Sequence, residues 1–174
     1  MEAANKKQYI SDTYVLLLQK TPGDKITVKM LIDACGLSRQ TFYYHFDDID
    51  AMIEWTFKNE TEKICSKINY MNIKESAELY AEFFKKYDTL LVKALKSESF
   101  IRIYNLIHNS FESFLTSYIK GKRSGISQTS EEREFFITYC ASASSGLVIL
   151  EIQKDERNYS ELMNKLAKSL KSIA

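Results

Sequence analysis

The sequence is poor in the residues that interrupt secondary structure. Its 174 residues include one proline and five glycines, whereas 45% of the chain is hydrophobic. Folds built from strands need many turn residues, so this composition argues against an all-β protein and predicts an all-α one with an ordinary core. The length allows one domain of usual size, or two small domains that share a long helix.

An excess of either charge is also missing. Lysine and arginine together number 24 against 23 aspartates and glutamates, which gives a net charge of +1. Residues 1–46 hold six of these cations and four of the anions. Because no broad positive field is present to attract nucleic acid, any affinity for DNA must come from individually placed contacts and from the pairing of two copies.

Cysteines and histidines are few, and their spacing indicates neither catalysis nor metal binding. The three cysteines are odd in number and show no paired spacing, which argues against a disulfide framework and against a zinc site. There are two histidines, no nucleophile beside a base and no phosphate-binding glycine loop. The sequence therefore predicts a protein that is not an enzyme, binds no cofactor or metal, and keeps its thiols reduced.

Long hydrophobic runs are lacking as well. Residues 15–18 and 146–150 form apolar runs far shorter than the ~20 residues that cross a bilayer. Nor do we expect a signal peptide before them. The expectation is a cytoplasmic protein with no membrane partner.

Residues 27–46 have the pattern of two short helices joined by a glycine corner. Apolar residues at helical spacing define the first helix: Val28, Leu31 and Ile32. Gly36 suits the corner because glycine adopts positive φ without a Cβ clash, and Ser38 suits the N-cap of the second helix. Phe42 and Phe46, four residues apart, are expected to face inward. This arrangement predicts a helix-turn-helix, whose second helix enters the DNA major groove.

The outward face of the second helix contains no acid. Its residues are Arg39, Gln40, Thr41, Tyr43, Tyr44 and His45. Arginine pairs with guanine, glutamine with adenine, and the threonine methyl group with thymine, whereas tyrosine and histidine suit phosphate oxygens. The alternative is a helical corner of a core whose surface polarity is incidental.

Residues 36–46 read Gly-Leu-Ser-Arg-Gln-Thr-Phe-Tyr-Tyr-His-Phe. This segment resembles the DNA-binding domain of the tetracycline-repressor (TetR/AcrR) family, whose signature is a glycine turn, Ser, Thr, an apolar residue and then Tyr-Tyr-His-Phe. The resemblance implies a three-helix DNA-binding domain at residues 1–47 and a helical effector-binding and dimerisation domain at residues 48–174. The C-terminal region is more remotely similar to the branch that includes the dihydroxyacetone-kinase operon regulator.

The resemblance also implies a function, which is that of a transcriptional regulator, expected to be a repressor. Such a protein binds an inverted-repeat operator as a homodimer, and an effector bound in its helical domain controls its DNA affinity. The residues that would contact DNA are Thr27, Ser38, Arg39, Gln40, Thr41, Tyr43, Tyr44 and His45.

The sequence departs from the family pattern in two places. Ile32 stands where a small residue is usual, so the two helices are expected to pack at a slightly larger separation. The start of the next helix reads Asp47-Asp48-Ile49-Asp50 where a lysine is usual, which removes a phosphate contact. Asp47 is expected to cap that helix.

Apolar periodicity predicts further helices after residue 47. With the helices before that residue, the whole chain is expected to have about nine. One break is placed near Tyr87, with a short separate element from Asp88 to Leu95. The helix from about residue 130 to 154 is apolar on two faces, and a last helix follows Asn158. These two helices, about residues 130–173, are expected to form a homodimer interface as a four-helix bundle. The alternative is that they complete a monomer core.

An effector pocket is expected among aromatic and polar side chains of the C-terminal region. The candidate lining residues are Trp55, Phe83, Tyr87, Tyr104, His108, Phe111 and Tyr139. Each has an alternative role as an ordinary core residue. Two alternative functions also remain open at this stage: a regulator of the same fold that answers to a protein co-regulator, and a helical scaffold that never contacts DNA.

Overall fold

The computed structural model describes residues 3–21, 26–67, 72–95, 100–121 and 129–173. Within these ranges the chain forms eight helices and no strand, which confirms the all-α prediction. The helices are α1 (Ala3–Lys20), α2 (Val28–Cys35), α3 (Arg39–His45), α4 (Ile49–Lys67), α5 (Ile73–Leu95), α6 (Phe100–Gly121), α7 (Ser130–Ile152) and α8 (Tyr159–Ile173).

The helix count is one below the expected nine because the predicted break near Tyr87 is wrong. Helix α5 continues through this point, and Tyr87, Leu90 and Leu91 are all buried along it. Asp88 lies inside this helix and does not begin another one. Its carboxylate accepts hydrogen bonds from Arg157 at 2.7 and 3.1 Å.

The chain divides into two compact units, Met1–Asn59 and Glu60–Ala174. The first unit extends past residue 47 because the early turns of α4 pack on α1. Thr56 Oγ1 donates a buried hydrogen bond of 2.8 Å to Ser11 Oγ, and Asn59 Nδ2 donates one of 2.8 Å to Gln8 Oε1. The functional division after residue 47 stays a prediction.

The second unit is built around packed aromatic side chains. The Tyr80 ring stacks on Phe111 at 5.5 Å between centroids, and Phe84 lies 6.0 Å from Phe111. The hydroxyl groups among them are hydrogen-bonded, since Tyr80 donates to the Ser110 carbonyl at 3.0 Å and Thr61 Oγ1 donates to Ser110 Oγ at 2.9 Å. Helix α8 packs on α5, and α7 packs on α6.

The segment between α7 and α8 is held by charged hydrogen bonds. Besides Arg157, the Tyr159 hydroxyl donates to Asp88 Oδ1 at 2.7 Å. Burial alone would raise the pKa of the Glu151 carboxyl, but hydrogen bonds from Lys154 Nζ at 2.5 Å and from the Asn158 N–H at 2.6 Å lower it overall. Glu151 is therefore a buried carboxylate with partners, which fixes the start of α8.

Each unit holds one buried thiol. Cys35 ends α2 in the first unit, and Cys140 lies in α7 in the second, while Cys65 is half-buried. Burial is the largest cause that raises the pKa of all three thiols. A raised pKa keeps the thiol protonated and slows its reactions as a nucleophile.

The short apolar runs in the sequence led us to expect no segment that could cross a membrane, and helix α7 differs from that expectation. By length and composition it could cross a membrane, and 44% of its most apolar stretch is buried within the fold. The search for uninterrupted apolar runs did not reveal the apolar character of the whole helix, because small residues such as Ser142, Ala143 and Gly146 separate the larger apolar ones. A packed helix of a soluble protein has the same composition, so α7 alone does not indicate a membrane protein.

Candidate nucleic-acid interface

The corner between α2 and α3 has the geometry that its sequence predicts. Gly36 adopts the left-handed conformation with φ 64° and ψ 33°, and the Leu37 N–H donates to the Ile32 carbonyl at 3.0 Å. Ser38 then caps α3, because its Oγ accepts a hydrogen bond of 3.0 Å from the Thr41 N–H. The Ser38 and Thr41 hydroxyl oxygens are themselves 2.8 Å apart. Local hydrogen bonds thus fix the direction of α3.

Two phenylalanines fix the rotation of α3 about its axis. Phe42 is fully buried, Phe46 is 5% exposed, and their ring centroids are 6.0 Å apart. Phe46 also contacts Trp55 of α4 edge to face, with centroids 5.8 Å apart. Because this side of α3 is held inward, the opposite side must face solvent.

The outer face of α3 contains the predicted DNA-contacting residues. Arg39, Gln40, Tyr43 and Tyr44 are exposed, and Tyr44 is 81% exposed. The Arg39 guanidinium lies 5.8 Å from the centroid of the Tyr43 ring, which restrains both side chains before any ligand arrives. Thr41 and His45 are half-buried at the sides of this face.

Thr27 occupies the N-cap of α2. Its Oγ1 accepts a hydrogen bond of 3.2 Å from the Met30 N–H, while the residue itself is exposed. The hydroxyl hydrogen of such a cap can still donate to an anion. Thr27 and Ser38 therefore have a structural role as caps beside the role expected from the family resemblance.

Helix α1 brings two lysines to the C-terminal end of α3. Lys7 Nζ lies 5.1 Å from the ring centroid of Phe46 and 5.7 Å from that of Trp55. Partial burial and then the charges of Lys6 and Lys7 lower the pKa of His45. Sequence reasoning missed these lysines, because they precede His45 by almost forty residues in a helix that carries no motif.

Acidic residues follow α3 directly, and one of them has a different role from the one expected. The carboxylate of Asp48, and not that of Asp47, caps α4 by accepting a hydrogen bond of 2.7 Å from the Ala51 N–H. Both aspartates are exposed. The start of α4 therefore presents negative charge beside an otherwise acid-free face.

The structure does not bring the seven predicted effector residues together. Phe83 and Tyr87 are buried and 5.1 Å apart between ring centroids, and Phe111 is buried against Tyr80. Tyr139 is 60% exposed on α7, and Trp55 belongs to the first unit.

Tyr104 and His108 lie together on α6, with ring centroids 6.1 Å apart. His108 Nε2 is 3.2 Å from Ser142 Oγ of α7. Sequence periodicity identified these aromatic residues as inward or partly inward, but it did not distinguish a hollow interior from a filled one.

A cavity of about 30 Å³ lies among the helices of the second unit. Its walls include Tyr80, Phe111, Phe114, Ser144 and Met163. This volume accommodates a water molecule or two, whereas ligand pockets have volumes of roughly 300–1,000 Å³. In the part of the chain that the structure describes, no group of three His, Cys, Asp or Glu side chains could hold a metal ion.

Helix α7 exposes a line of apolar residues that we call the α7 stripe. Its members are Phe135, Tyr139, Ala143, Leu147 and Leu150. A groove of about 660 Å³ runs beside it, with Phe100 and Tyr104 of α6 in its wall. Gly146 also borders the groove, and apart from its two chain neighbours and the nearby backbone of α7, a Cβ atom there would meet no described atom within 4 Å. A second helix could therefore approach this face closely.

Comparison with known proteins places the fold. No family model matches the sequence, and no curated protein matches it. The solved structure of the dihydroxyacetone kinase operon activator DhaS is similar with a TM-score of 0.79 and 18% identity, over 96% of this chain and 94% of that one. A transcriptional regulator of the TetR/AcrR family from Aquifex aeolicus VF5 is similar with a TM-score of 0.59 and 21% identity, over 97% and 99% of the two chains. The chain therefore has the fold of TetR-like transcriptional regulators, as the motif at residues 36–46 predicts.

Proposed function

We propose that this protein is a DNA-binding transcriptional regulator of the cytoplasm that binds an inverted-repeat operator as a homodimer. The observation that carries the proposal is the exposed, acid-free face of α3, held outward by the buried Phe42 in a helix-turn-helix. Such a helix presents its first residues to base edges in the major groove. The proposed DNA contacts are Thr27, Ser38, Arg39, Gln40, Thr41, Tyr43, Tyr44 and His45.

The proposed dimer forms through the α7 stripe and α8. A monomer that leaves Phe135 74% exposed and Leu150 58% exposed on one helix has an apolar face suited to an interface. A two-fold axis through this face would form a four-helix bundle from α7 and α8 of both copies. The two recognition helices would then lie roughly 34–36 Å apart, in successive major grooves.

Repression is the proposed outcome, since the family that residues 36–46 resemble is that of the tetracycline repressor. One structural neighbour, DhaS, is named as an operon activator. A reporter fused to the promoter that the protein binds, with and without the gene for the protein, distinguishes the two outcomes by the sign of the change.

The proposed control of DNA affinity is by a small molecule bound within the helical domain, which shifts the balance between two packings of α4. A second candidate is control by a protein co-regulator. It is favoured by the close packing of Phe83, Tyr87 and Phe111 and by the small cavity beside Tyr80. A thermal-shift screen of metabolites separates the two, since a ligand that binds the folded state raises its melting temperature.

Replacement of Arg39 or Gln40 by alanine tests the recognition helix. Each change should relax preference at particular base pairs by about 1–3 kcal/mol for each bidentate hydrogen-bond pair that is removed. Binding sites are first selected from random duplexes with the unmodified protein, and both variants are then titrated against single-base changes in the selected site. Unchanged preference in both variants would show that α3 does not recognise the bases.

The matched controls for this experiment are Tyr43→Phe and His45→Gln. Both residues are proposed to contact phosphate, which positions the protein without specifying a sequence. These variants should weaken binding to all duplexes alike and leave the base preference unaltered.

DNA binding should strengthen as the pH falls through the range in which His45 titrates. The pKa of His45 lies below its usual value of about 6.5 in the free protein. A phosphate nearby favours the charged imidazolium, so the bound state has the higher pKa and binding takes up a proton. As the pH falls towards the pKa of His45 in the free protein, affinity should rise by up to about tenfold per pH unit for each proton taken up.

Controls for the pH dependence come from the two histidines of the chain. The His45→Gln variant should lose the pH dependence, and His108→Gln should keep it, because His108 lies in the second unit. An identical pH dependence in His45→Gln would place the titrating group elsewhere.

A further inference from the structure

We infer that the α7 stripe pairs with the α7 stripe of a second copy in an antiparallel register, with the two-fold axis at Ala143. In this register the aromatic end of the stripe on each copy inserts into the groove between α6 and α7 of the other copy. The inference rests on the proposed homodimer. It specifies the orientation of the two α7 helices and adds α6 to the interface.

The two ends of the α7 stripe differ in shape. Phe135 and Tyr139, at the N-terminal end, are 74% and 60% exposed, and their rings stack with centroids 6.5 Å apart. We call this pair the aromatic ridge. Towards the C-terminal end, Leu147 and Leu150 border the groove of about 660 Å³, where Gly146 contributes no side chain. The stripe therefore has a projection at one end and a recess at the other.

The ridge and the groove are spaced symmetrically about Ala143. This residue is exposed, and Tyr139 and Leu147 lie four residues before and after it. Phe135 lies eight residues before it and Leu150 seven after. A two-fold interface brings the same patch of both copies together, so the patch must be complementary to itself. An axis at Ala143 that reverses the second helix places each aromatic ridge opposite the groove of the other copy.

The groove has the chemistry to accept aromatic rings. Phe100 and Tyr104 of α6 line it together with Leu147 and Leu150 of α7. The described residues of its lining include no charged side chain. Aromatic rings that pack offset or edge to face are stabilised beyond the area that they bury. The aromatic ridge of a second copy is therefore a suitable occupant.

The other end of the seam between α6 and α7 is polar. A groove of about 520 Å³ lies there, and its lining includes Glu112, Arg133 and Glu134. An aromatic ring that covered these side chains would remove water from charged groups without replacing its hydrogen bonds. A parallel pairing of the two α7 helices would place ridge against ridge and leave the apolar groove without an occupant. These observations favour the antiparallel register.

Disulfide crosslinking tests the register. A disulfide needs two Cα atoms within about 7 Å of each other. Ala143→Cys should therefore crosslink two copies across the axis, and the Tyr139→Cys/Leu147→Cys double variant should also crosslink them. Leu150→Cys is the matched control, because this position in the two copies would be about 21 Å apart along antiparallel helices. The unmodified protein, with its three cysteines, gives the background under the same oxidation.

Gly146→Leu tests whether the groove receives the ridge. In the single chain a Cβ atom at this position meets no described atom within 4 Å beyond its chain neighbours and the nearby backbone of α7, and leucine favours a helix more than glycine does. The variant should therefore stay folded, as thermal melting would show. Its new side chain should occupy the groove and raise the dissociation constant of the dimer by about tenfold or more. Thr138→Leu adds the same side chain outside the α7 stripe and should dimerise normally.

The results separate the register from the dimer itself. Crosslinks in Ala143→Cys and in the double variant but not in Leu150→Cys, with weaker dimerisation of Gly146→Leu, would support the inference. A crosslink in Leu150→Cys, no crosslink in Ala143→Cys, or normal dimerisation of folded Gly146→Leu would overturn it and leave the proposed homodimer in place. An unmodified protein that sediments as a monomer at all concentrations would overturn the proposed homodimer, and the inference with it.

Discussion

Leu147→Glu is expected to convert the proposed dimer to a monomer and to lower affinity for an inverted-repeat operator by about 100-fold or more, because a monomer does not have the advantage of two linked half-sites. Leu147 lies within the α7 stripe and is 42% exposed in the single chain. In the proposed two-fold interface both copies would bring a carboxylate into an apolar surface, where like charges are strongly unfavourable. Sedimentation velocity and duplex titration measure the two effects.

The matched control for this variant is Thr138→Glu. Thr138 is exposed on the same helix but lies outside the α7 stripe, so the added charge is the same and its position differs. This variant should remain dimeric and bind the operator normally. A Leu147→Glu protein that still sediments as a dimer would place the interface elsewhere, and a monomer with full operator affinity would show that pairing is not needed.

Phe42→Ala should unfold the first unit or bring it close to unfolding. The side chain is completely buried, and replacement of a buried phenylalanine by alanine costs about 3–5 kcal/mol. The whole stability of a domain is only about 5–15 kcal/mol. Trp55 contacts Phe46, which in turn contacts Phe42, so its fluorescence during urea unfolding measures the destabilisation of this unit.

Tyr44→Ala provides the comparison on the opposite side of α3. This side chain is 81% exposed, and surface substitutions change stability by about 0.5 kcal/mol or less. The variant should therefore unfold like the unmodified protein while binding DNA more weakly. If Tyr44→Ala were as destabilising as Phe42→Ala, the inner and outer faces of α3 would have been assigned the wrong way round.

The helix-turn-helix could be predicted in detail because its determinants are local. The positive φ of Gly36, the cap at Ser38 and the four-residue spacing of Phe42 and Phe46 all act within a few residues. Such short-range interactions are encoded directly in the order of the residues. The orientation of α3 followed from them.

Features that depend on distant residues could not be predicted in the same way. The approach of the Lys7 side chain to the Phe46 ring requires α1 to pack beside the end of α3, and no pattern in either segment encodes that packing. Asp88 lies inside α5 and pairs with Arg157, which is 69 residues away, so its role depends on a residue that the local sequence does not reveal. From the sequence alone, Asp88 has the pattern of a residue that begins a helix, because its distant partner Arg157 cannot be inferred.

Helix α7 could be predicted from the sequence only in part. Its sequence has apolar residues on two faces, and the structure buries one of them, including Ala141, Val148 and Ile152, within the second unit. The other face became definable as the α7 stripe only when the packing of α6 and α8 was known. Periodicity predicts that a face is apolar, but the partner that covers it is a property of the assembly.

Each unit contains one buried cysteine whose rate of alkylation can report on local opening of that unit. Cys35 and Cys140 are concealed and protonated in the native state, so an alkylating reagent modifies them chiefly during transient local opening. Since the two cysteines belong to different units, mass spectrometry of the two labelled peptides measures the rate of local opening in each unit separately. If binding of an operator or effector slows alkylation of one cysteine and not of the other, the slowed cysteine identifies the unit in which local opening is suppressed.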